Sequence, residues 1–116
     1  MNNLQNKKIT SEISLLDETT WSNNKTVELT DEITKYKKIS IKVKGHYSSS
    51  TDYFNSFITL LSSEIVFNEN ISCVEIYGAT DKNARGIIVF TDSKHVKMSS
   101  FYSGYGLVSL SIKGTM

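Results

Sequence analysis

The chain has 116 residues, of which 39% are hydrophobic and 22% are charged, and its net charge is +1. This composition is typical of one globular domain and excludes a disordered polymer. The near-neutral charge gives no electrostatic footprint for nucleic acid, and no apolar run approaches the ~20 residues of a membrane span. We therefore expect neither a nucleic-acid partner nor membrane insertion.

The chain begins with a polar segment. Residues 1–11 carry no hydrophobic period and predict a loose N-terminal arm, whereas residues 12–116 predict the domain itself. The first residues are charged but are not followed by an apolar stretch, so they do not form a signal peptide. Apolar residues begin at Ile13, Leu15 and Leu16, and residues 17–24 predict a loop around Trp21.

Alternating strand patterns follow this loop. Val27 and Leu29 alternate with polar residues, as in a half-buried strand. Residues 30–38 predict one short helical turn, with Thr30 as its cap, acids at its start and lysines at its end. Residues 39–44 give the clearest strand, with alternate apolar residues. Lys38, Lys42 and Lys44 occupy alternate positions in and just before this strand, so they share one face of the sheet. We expect that face to be exposed to solvent.

The segment 53–67 is ambiguous. Its apolar residues Phe54, Phe57, Ile58 and Leu61 recur at helical spacing, which slightly favours a helix. The run 57–61 also fits a strand, because β-branched and aromatic residues prefer strands.

The remainder of the chain is strand-like. Residues 74–77, 86–91, 95–99 and 107–113 predict strands, and 86–91, apolar on both faces, predicts a central one. The fold class is therefore all-β. We expect a single antiparallel β-sandwich or jelly-roll-like domain of about eight strands with at most one or two short helical turns.

Concentrated chemistry is missing from the sequence. His46 and His95 lie 49 positions apart and predict exposed or edge side chains. The strained serine elbow of hydrolases and the glycine loop of dinucleotide-binding proteins are both absent. Cys73 lies in a strand-like run and is expected to act as a small hydrophobe. We predict no enzyme, no metal and no cofactor.

Aromatic residues in or beside loops are the remaining candidates. Their flat faces, flanked by Ser, Asn and Asp, suit sugar binding, and Tyr and Trp are also enriched in subunit contacts. The alternative is that they pack beneath their own loops. The candidate ligand-binding residues are Trp21, Tyr47, Tyr53, Tyr102 and Tyr105, and the loops 46–53 and 101–106 are predicted to carry the contacts.

A family resemblance extends over residues 13–114. The elements that carry it are 14–17 leading to Trp21, then 27–39, 41–43, 57–61, 86–90 and 108–114. In this order they resemble the small β-sandwich domains at the tips of phage tail and head fibres and related minor structural proteins. The stretch 29–36, leucine-threonine-acid followed by isoleucine and tyrosine, turns from one strand into the next in such domains.

The resemblance implies a function and a location. It implies a homotrimer on the virion surface, made in the host cytoplasm, that binds a cell-surface glycan or serves as a structural tip. It also implies that 53–62 is a strand. Only about a dozen polar residues precede the domain, so we expect a fibre-tip fragment or a stand-alone decoration protein. The rival functions are an assembly or capsid/tail decoration subunit without ligand and a small surface-polysaccharide hydrolase, whose candidate carboxylates are Asp52, Glu75, Asp81 and Asp92.

Overall fold

The strands predicted from the sequence form two sheets. The computed structural model describes residues 11–46, 53–76, 84–101 and 106–116. These residues form eight strands, β1 Glu12–Thr20, β2 Thr26–Glu28, β3 Lys38–His46, β4 Tyr53–Leu61, β5 Ile71–Ile76, β6 Ala84–Asp92, β7 His95–Phe101 and β8 Gly106–Thr115. Two three-residue 3-10 turns, Ile33–Lys35 and Ser62–Glu64, complete the described elements. No helix in these ranges is long and apolar enough to cross a membrane.

The two sheets each have four antiparallel strands. The first sheet has the order β1-β8-β3-β4 and the second has the order β2-β7-β6-β5. The chain forms a hairpin between β3 and β4 and a meander through β5, β6 and β7, and it passes between the sheets at its other connections. The all-β sandwich prediction is thereby confirmed.

The core lies between the sheets and is formed by alternate residues. In β3, the side chains of Ile39, Ile41 and Val43 are buried, as their parity predicts. In the second sheet, Val96 and Met98 of β7 are fully buried. These inward faces join in one hydrophobic cluster, so burial of apolar area holds the two sheets together.

Strand β6 occupies an interior position in its sheet. It pairs with β5 on one side and β7 on the other. Its residues Ile87, Ile88 and Phe90 are all buried, which confirms the central strand predicted from its apolar runs on both faces.

The segment 53–61 is a strand, so the helix favoured by its spacing is wrong. It forms edge strand β4, paired with β3 from Lys38↔Leu61 to His46↔Tyr53. Side-chain exposure alternates along its whole length, with Phe57 turned outward and Ile58 turned inward. Large apolar residues lie on the outward face as well as the inward face. The alternation of polar and apolar residues that normally marks a strand is therefore missing from the sequence of β4.

Two further predictions require correction near the N-terminus. Residues 17–20 belong to β1 and not to a loop. The helical turn is a short 3-10 turn over Ile33–Lys35 with no side-chain cap, and the Thr30 hydroxyl donates to the Ser14 carbonyl instead. The expected charge arrangement does form, since Lys35 pairs with Asp31 at 3.0 Å.

Gly114 allows a close approach in the core. The ring of Tyr36 covers this glycine, and a Cβ placed there would lie 2.6 Å from Tyr36 Cγ. Tyr36 is itself buried, donates its hydroxyl to Asp31 Oδ2 at 3.2 Å, and accepts a hydrogen bond from Ser62 at its carbonyl oxygen. The ring is therefore held against β8 and by its hydroxyl bond to Asp31, and the backbone of Tyr36 is held by Ser62.

Candidate functional site

The five candidate aromatic residues differ in whether the structure describes them and in how exposed they are. Tyr47, Tyr102 and Tyr105 lie outside the described residues, as do most of the loops 46–53 and 101–106. Tyr53 begins β4 and is 60% exposed, whereas Trp21 is only 9% exposed. Of the described candidates, Tyr53 is thus the one whose ring reaches solvent.

Trp21 contributes to the hydrophobic core. Its backbone N–H donates to the carbonyl of Val108 at 2.9 Å, which anchors the end of β1 to β8. Its ring lies beside Gly86, where the lack of a side chain leaves room for it. The indole Nε1 is buried without a hydrogen-bond partner among the described residues. Trp21 is therefore a core residue, packed beside a distant strand.

Tyr53 lies within a group of side chains from β3. The pairing His46↔Tyr53 places the two rings 5.8 Å apart in an edge-to-face arrangement. The Nζ atom of Lys44 lies 4.9 Å from the centre of the Tyr53 ring. At this distance an ammonium is attracted to the negative face of an aromatic ring.

The same arrangement repeats along the hairpin. Phe57 is 71% exposed, and the Nζ atom of its cross-strand partner Lys42 lies 6.0 Å from its ring centre. Lys38 and Leu61 form a third lysine–apolar pair, where β3 begins and β4 ends. We define the lysine–aromatic face as the outward side of β3 and β4, formed by Lys38, Lys42, Lys44, Tyr53, Phe57 and Leu61.

The lysines of this face have no carboxylate within ion-pair distance among the described residues. Other basic residues do, since Arg85 pairs with Glu75 at 3.1 Å and Lys94 with Glu28 at 3.9 Å. Among the described residues, this face therefore combines exposed aromatic rings with lysine ammonium groups. This combination can bind a ligand that carries both apolar and anionic groups.

The opposite edge of the first sheet is acidic. Ser109 donates to Glu18 Oε2 at 3.0 Å, which places this carboxylate beside β8. Ser14 donates to Asp17 Oδ1 at 2.6 Å on β1. These carboxylates therefore lie on the β1–β8 side of the sheet, whereas the lysine–aromatic face lies over β3 and β4.

Two of the four carboxylates proposed for a hydrolase lie in the described part of the chain. Asp52 and Asp81 lie outside the described residues. Glu75 is engaged with Arg85, and Asp92 accepts hydrogen bonds from the Lys94 backbone N–H and the His95 ring, both of which lower the pKa of Asp92. Within the described ranges, no group of three or more His, Cys, Asp and Glu residues could hold a metal ion.

Cys73 is a buried residue of β5. Its side chain is 7% exposed, and burial raises the pKa of the Cys73 thiol to about 12. The thiolate is therefore negligible at neutral pH, and since the thiolate is the nucleophilic form, the residue has no reactive character. The sulfur packs as the small hydrophobe expected from the sequence.

No protein-family model matches the chain, and no curated protein matches it significantly.

The structure also adds residues that sequence reasoning did not select. Phe57, Lys42 and Lys44 join Tyr53 on one face through the β3–β4 register. The shared parity of the lysines was a usable signal, but the aromatic residues could be placed opposite them only once β4 was known to be a strand.

Proposed function

We propose that this chain is a non-enzymatic adhesion module of a phage-like particle, which contacts a host surface glycan through its lysine–aromatic face. The observation that carries the proposal is the exposure of Tyr53 and Phe57 on one sheet face, each beneath a lysine ammonium. Flat exposed rings suit the C–H faces of sugars, and the neighbouring ammonium groups suit their oxygen atoms. The resemblance to fibre-tip domains adds the location, at the virion surface.

The extended shape of the site supports a polymeric ligand. Strands β3 and β4 have nine residues each, so the face is about 30 Å long at a rise of roughly 3.3 Å per residue. Shallow contacts of this kind bind single sugars weakly. Presentation as a homotrimer raises weak contacts to useful avidity, because the second and third contacts form within one complex.

A glycan array with the purified chain tests the proposal. We expect the wild-type chain to retain a set of bacterial surface glycans, and Tyr53→Ala/Phe57→Ala to lose them while it remains folded. The matched control is Phe67→Ala, which removes an aromatic residue that is 39% exposed between β4 and β5; all variants are compared at the same oligomeric mass, measured by light scattering. Equal retention by the Tyr53/Phe57 variant and the wild type would contradict this site.

An assembly subunit without ligand is the second candidate, and a separate observation favours it. Large apolar side chains are also exposed away from the lysine–aromatic face, at Ile13, Val66, Phe67 and Met116. Such residues suit burial between chains. Light scattering across a concentration series tests the oligomer that both candidates require, and the glycan array separates them. A stable trimer of the 13.1 kDa chain supports the fibre-tip arrangement, and a monomer at all concentrations counts against both the trimer and this interface.

A further inference from the structure

We infer that the ligand of the lysine–aromatic face is an anionic glycan, a polysaccharide that carries carboxylate, phosphate or sulfate groups. The inference rests on the proposed function and narrows its ligand class. Two observations on the described residues lead to it, the row of lysines along β3 without a described carboxylate partner and the position of the carboxylates on the β1–β8 side of the sheet.

The lysines form a regular row along β3. Alternate residues of a strand lie on one face about 6.6 Å apart, so Lys42 and Lys44 are neighbours and Lys38 lies about 13 Å further along. Lys113 of β8 adds a fourth ammonium, because it pairs with Ser40 and shares the outward face. None of these four lysines has a described carboxylate within 4.0 Å. A chain of repeating anionic groups laid along β3 supplies the missing counter-charges.

The acidic edge limits how such a polymer lies. Glu12 and Asp17 occur on β1, on the far side of β8 from β3, and the Glu18 carboxylate accepts a hydrogen bond from Ser109 of β8, which pairs with Lys44. An anionic chain that crossed all four strands would meet these carboxylates and be repelled. A chain that runs parallel to β3 and β4 avoids them and covers both rings.

The aromatic contacts favour a glycan over single-stranded nucleic acid. The ammonium groups at 4.9 and 6.0 Å from the ring centres of Tyr53 and Phe57 cover part of each ring face, which leaves less area for a stacked base. A sugar ring with an acidic substituent can contact the uncovered part of the ring through C–H groups while its anion pairs with the same lysine. The site is thus suited to a sugar residue that carries an apolar C–H surface and an anionic group together.

Binding to defined polymers tests the inference. The probes are polygalacturonate, a glycerol-phosphate polymer and dextran sulfate, with neutral dextran as the uncharged reference and a deoxythymidine 12-mer as the nucleic-acid reference. We expect at least one anionic glycan polymer to bind and neutral dextran not to bind. The binding polymers show whether carboxylate, phosphate or sulfate is preferred.

Charge-removing variants locate the contact. Lys42→Gln/Lys44→Gln should weaken binding roughly tenfold at low salt, since each exposed ion pair contributes up to about a threefold to fivefold effect. The matched control, Lys25→Gln/Lys97→Gln, removes the same charge from the β2–β7 side and should leave affinity unchanged. Binding by the wild type should also fall as salt is raised.

Three results would overturn the inference. They are binding of neutral dextran as tight as that of the best anionic polymer, tighter binding of the 12-mer than of every glycan, and self-association that covers the face in the absence of polymer. If Tyr53→Ala/Phe57→Ala abolishes glycan-array binding while Lys42→Gln/Lys44→Gln leaves the affinity unchanged, the adhesion proposal stands and the anionic ligand is excluded. If neither variant changes binding to any glycan, both proposals fail.

Discussion

The contact between Gly114 and Tyr36 allows a quantitative test of core packing. A Cβ at position 114 would lie 2.6, 2.8 and 3.0 Å from three carbons of the Tyr36 ring. Ordinary carbon–carbon contacts lie at about 3.5–4.0 Å, so Gly114→Ala forces the ring to retreat by roughly 1 Å. Overpacking of this kind costs about 1–3 kcal/mol. Among the described glycines none has a positive φ, so backbone strain adds nothing at this position.

The three nearest atoms to a Cβ at position 114 all belong to Tyr36, so the clash can be tested with a double-mutant cycle of Gly114→Ala and Tyr36→Ala. In a Tyr36→Ala background the ring is absent, and Gly114→Ala should be neutral or stabilising by about 0.5–1 kcal/mol because alanine restricts the unfolded chain. Tyr36→Ala alone should cost about 3–5 kcal/mol. The two substitutions together should therefore be less destabilising than their sum, with a coupling of about 2 kcal/mol.

Urea unfolding followed by far-UV circular dichroism measures the free energies of unfolding, with sucrose in every sample so that the weaker variants remain folded. Gly45→Ala is the control, because its Cβ would meet Phe54 and lie 2.9 Å from the Gly106 carbonyl oxygen, away from Tyr36. Its cost should be the same with and without the tyrosine. If Gly114→Ala is equally destabilising in both backgrounds, the packing argument is refuted.

Two further predictions concern the thiol and acid stability. Because Cys73 is buried and its pKa is raised to about 12, it should react with an aromatic disulfide reagent only in denaturant, and rapid labelling of the native chain would contradict its placement. The pKa of Asp31 is lowered, chiefly by the Lys35 side chain, and that of Asp92 chiefly by the Lys94 backbone N–H. Carboxyl groups with a lowered folded-state pKa stabilise the fold above about pH 4, and this contribution is lost as the pH falls through their folded-state values. The urea midpoint should therefore decrease from pH 5 to pH 2, and less steeply for Asp31→Asn/Asp92→Asn; identical slopes would contradict the assignment.

The parts of the fold that follow from sequence are those where one face is wholly buried. The alternation around Ile41 and the apolar run around Ile88 each specify a strand, since a one-residue shift would expose the core side chains. The turn at Asn24 is similarly readable, because asparagine tolerates the positive φ of 67° found there. These features depend on neighbours in sequence alone.

Edge strand β4 could not be read in this way. Phe57 points to solvent and Ile58 to the core, so both parities carry apolar residues and a helical spacing arises by coincidence. The strand is specified by its pairing with β3, a tertiary contact. Trp21 presents the converse case. Its polar neighbours suggest exposure, yet room beside Gly86 on a distant strand permits its burial.

The lysine–aromatic face combines two requirements that usually conflict. A long apolar edge strand is a template for aggregation, and natural sheets protect such edges with charge. Here the charge comes from the adjacent strand, with Lys42 and Lys44 placed over the rings of Phe57 and Tyr53. Lysine stems cover part of the apolar area while their ammonium groups remain hydrated. A ligand that displaces this water can pair with the ammonium groups and contact the aromatic rings at the same time. The arrangement that keeps the edge soluble is therefore also the arrangement that we expect to bind an anionic glycan.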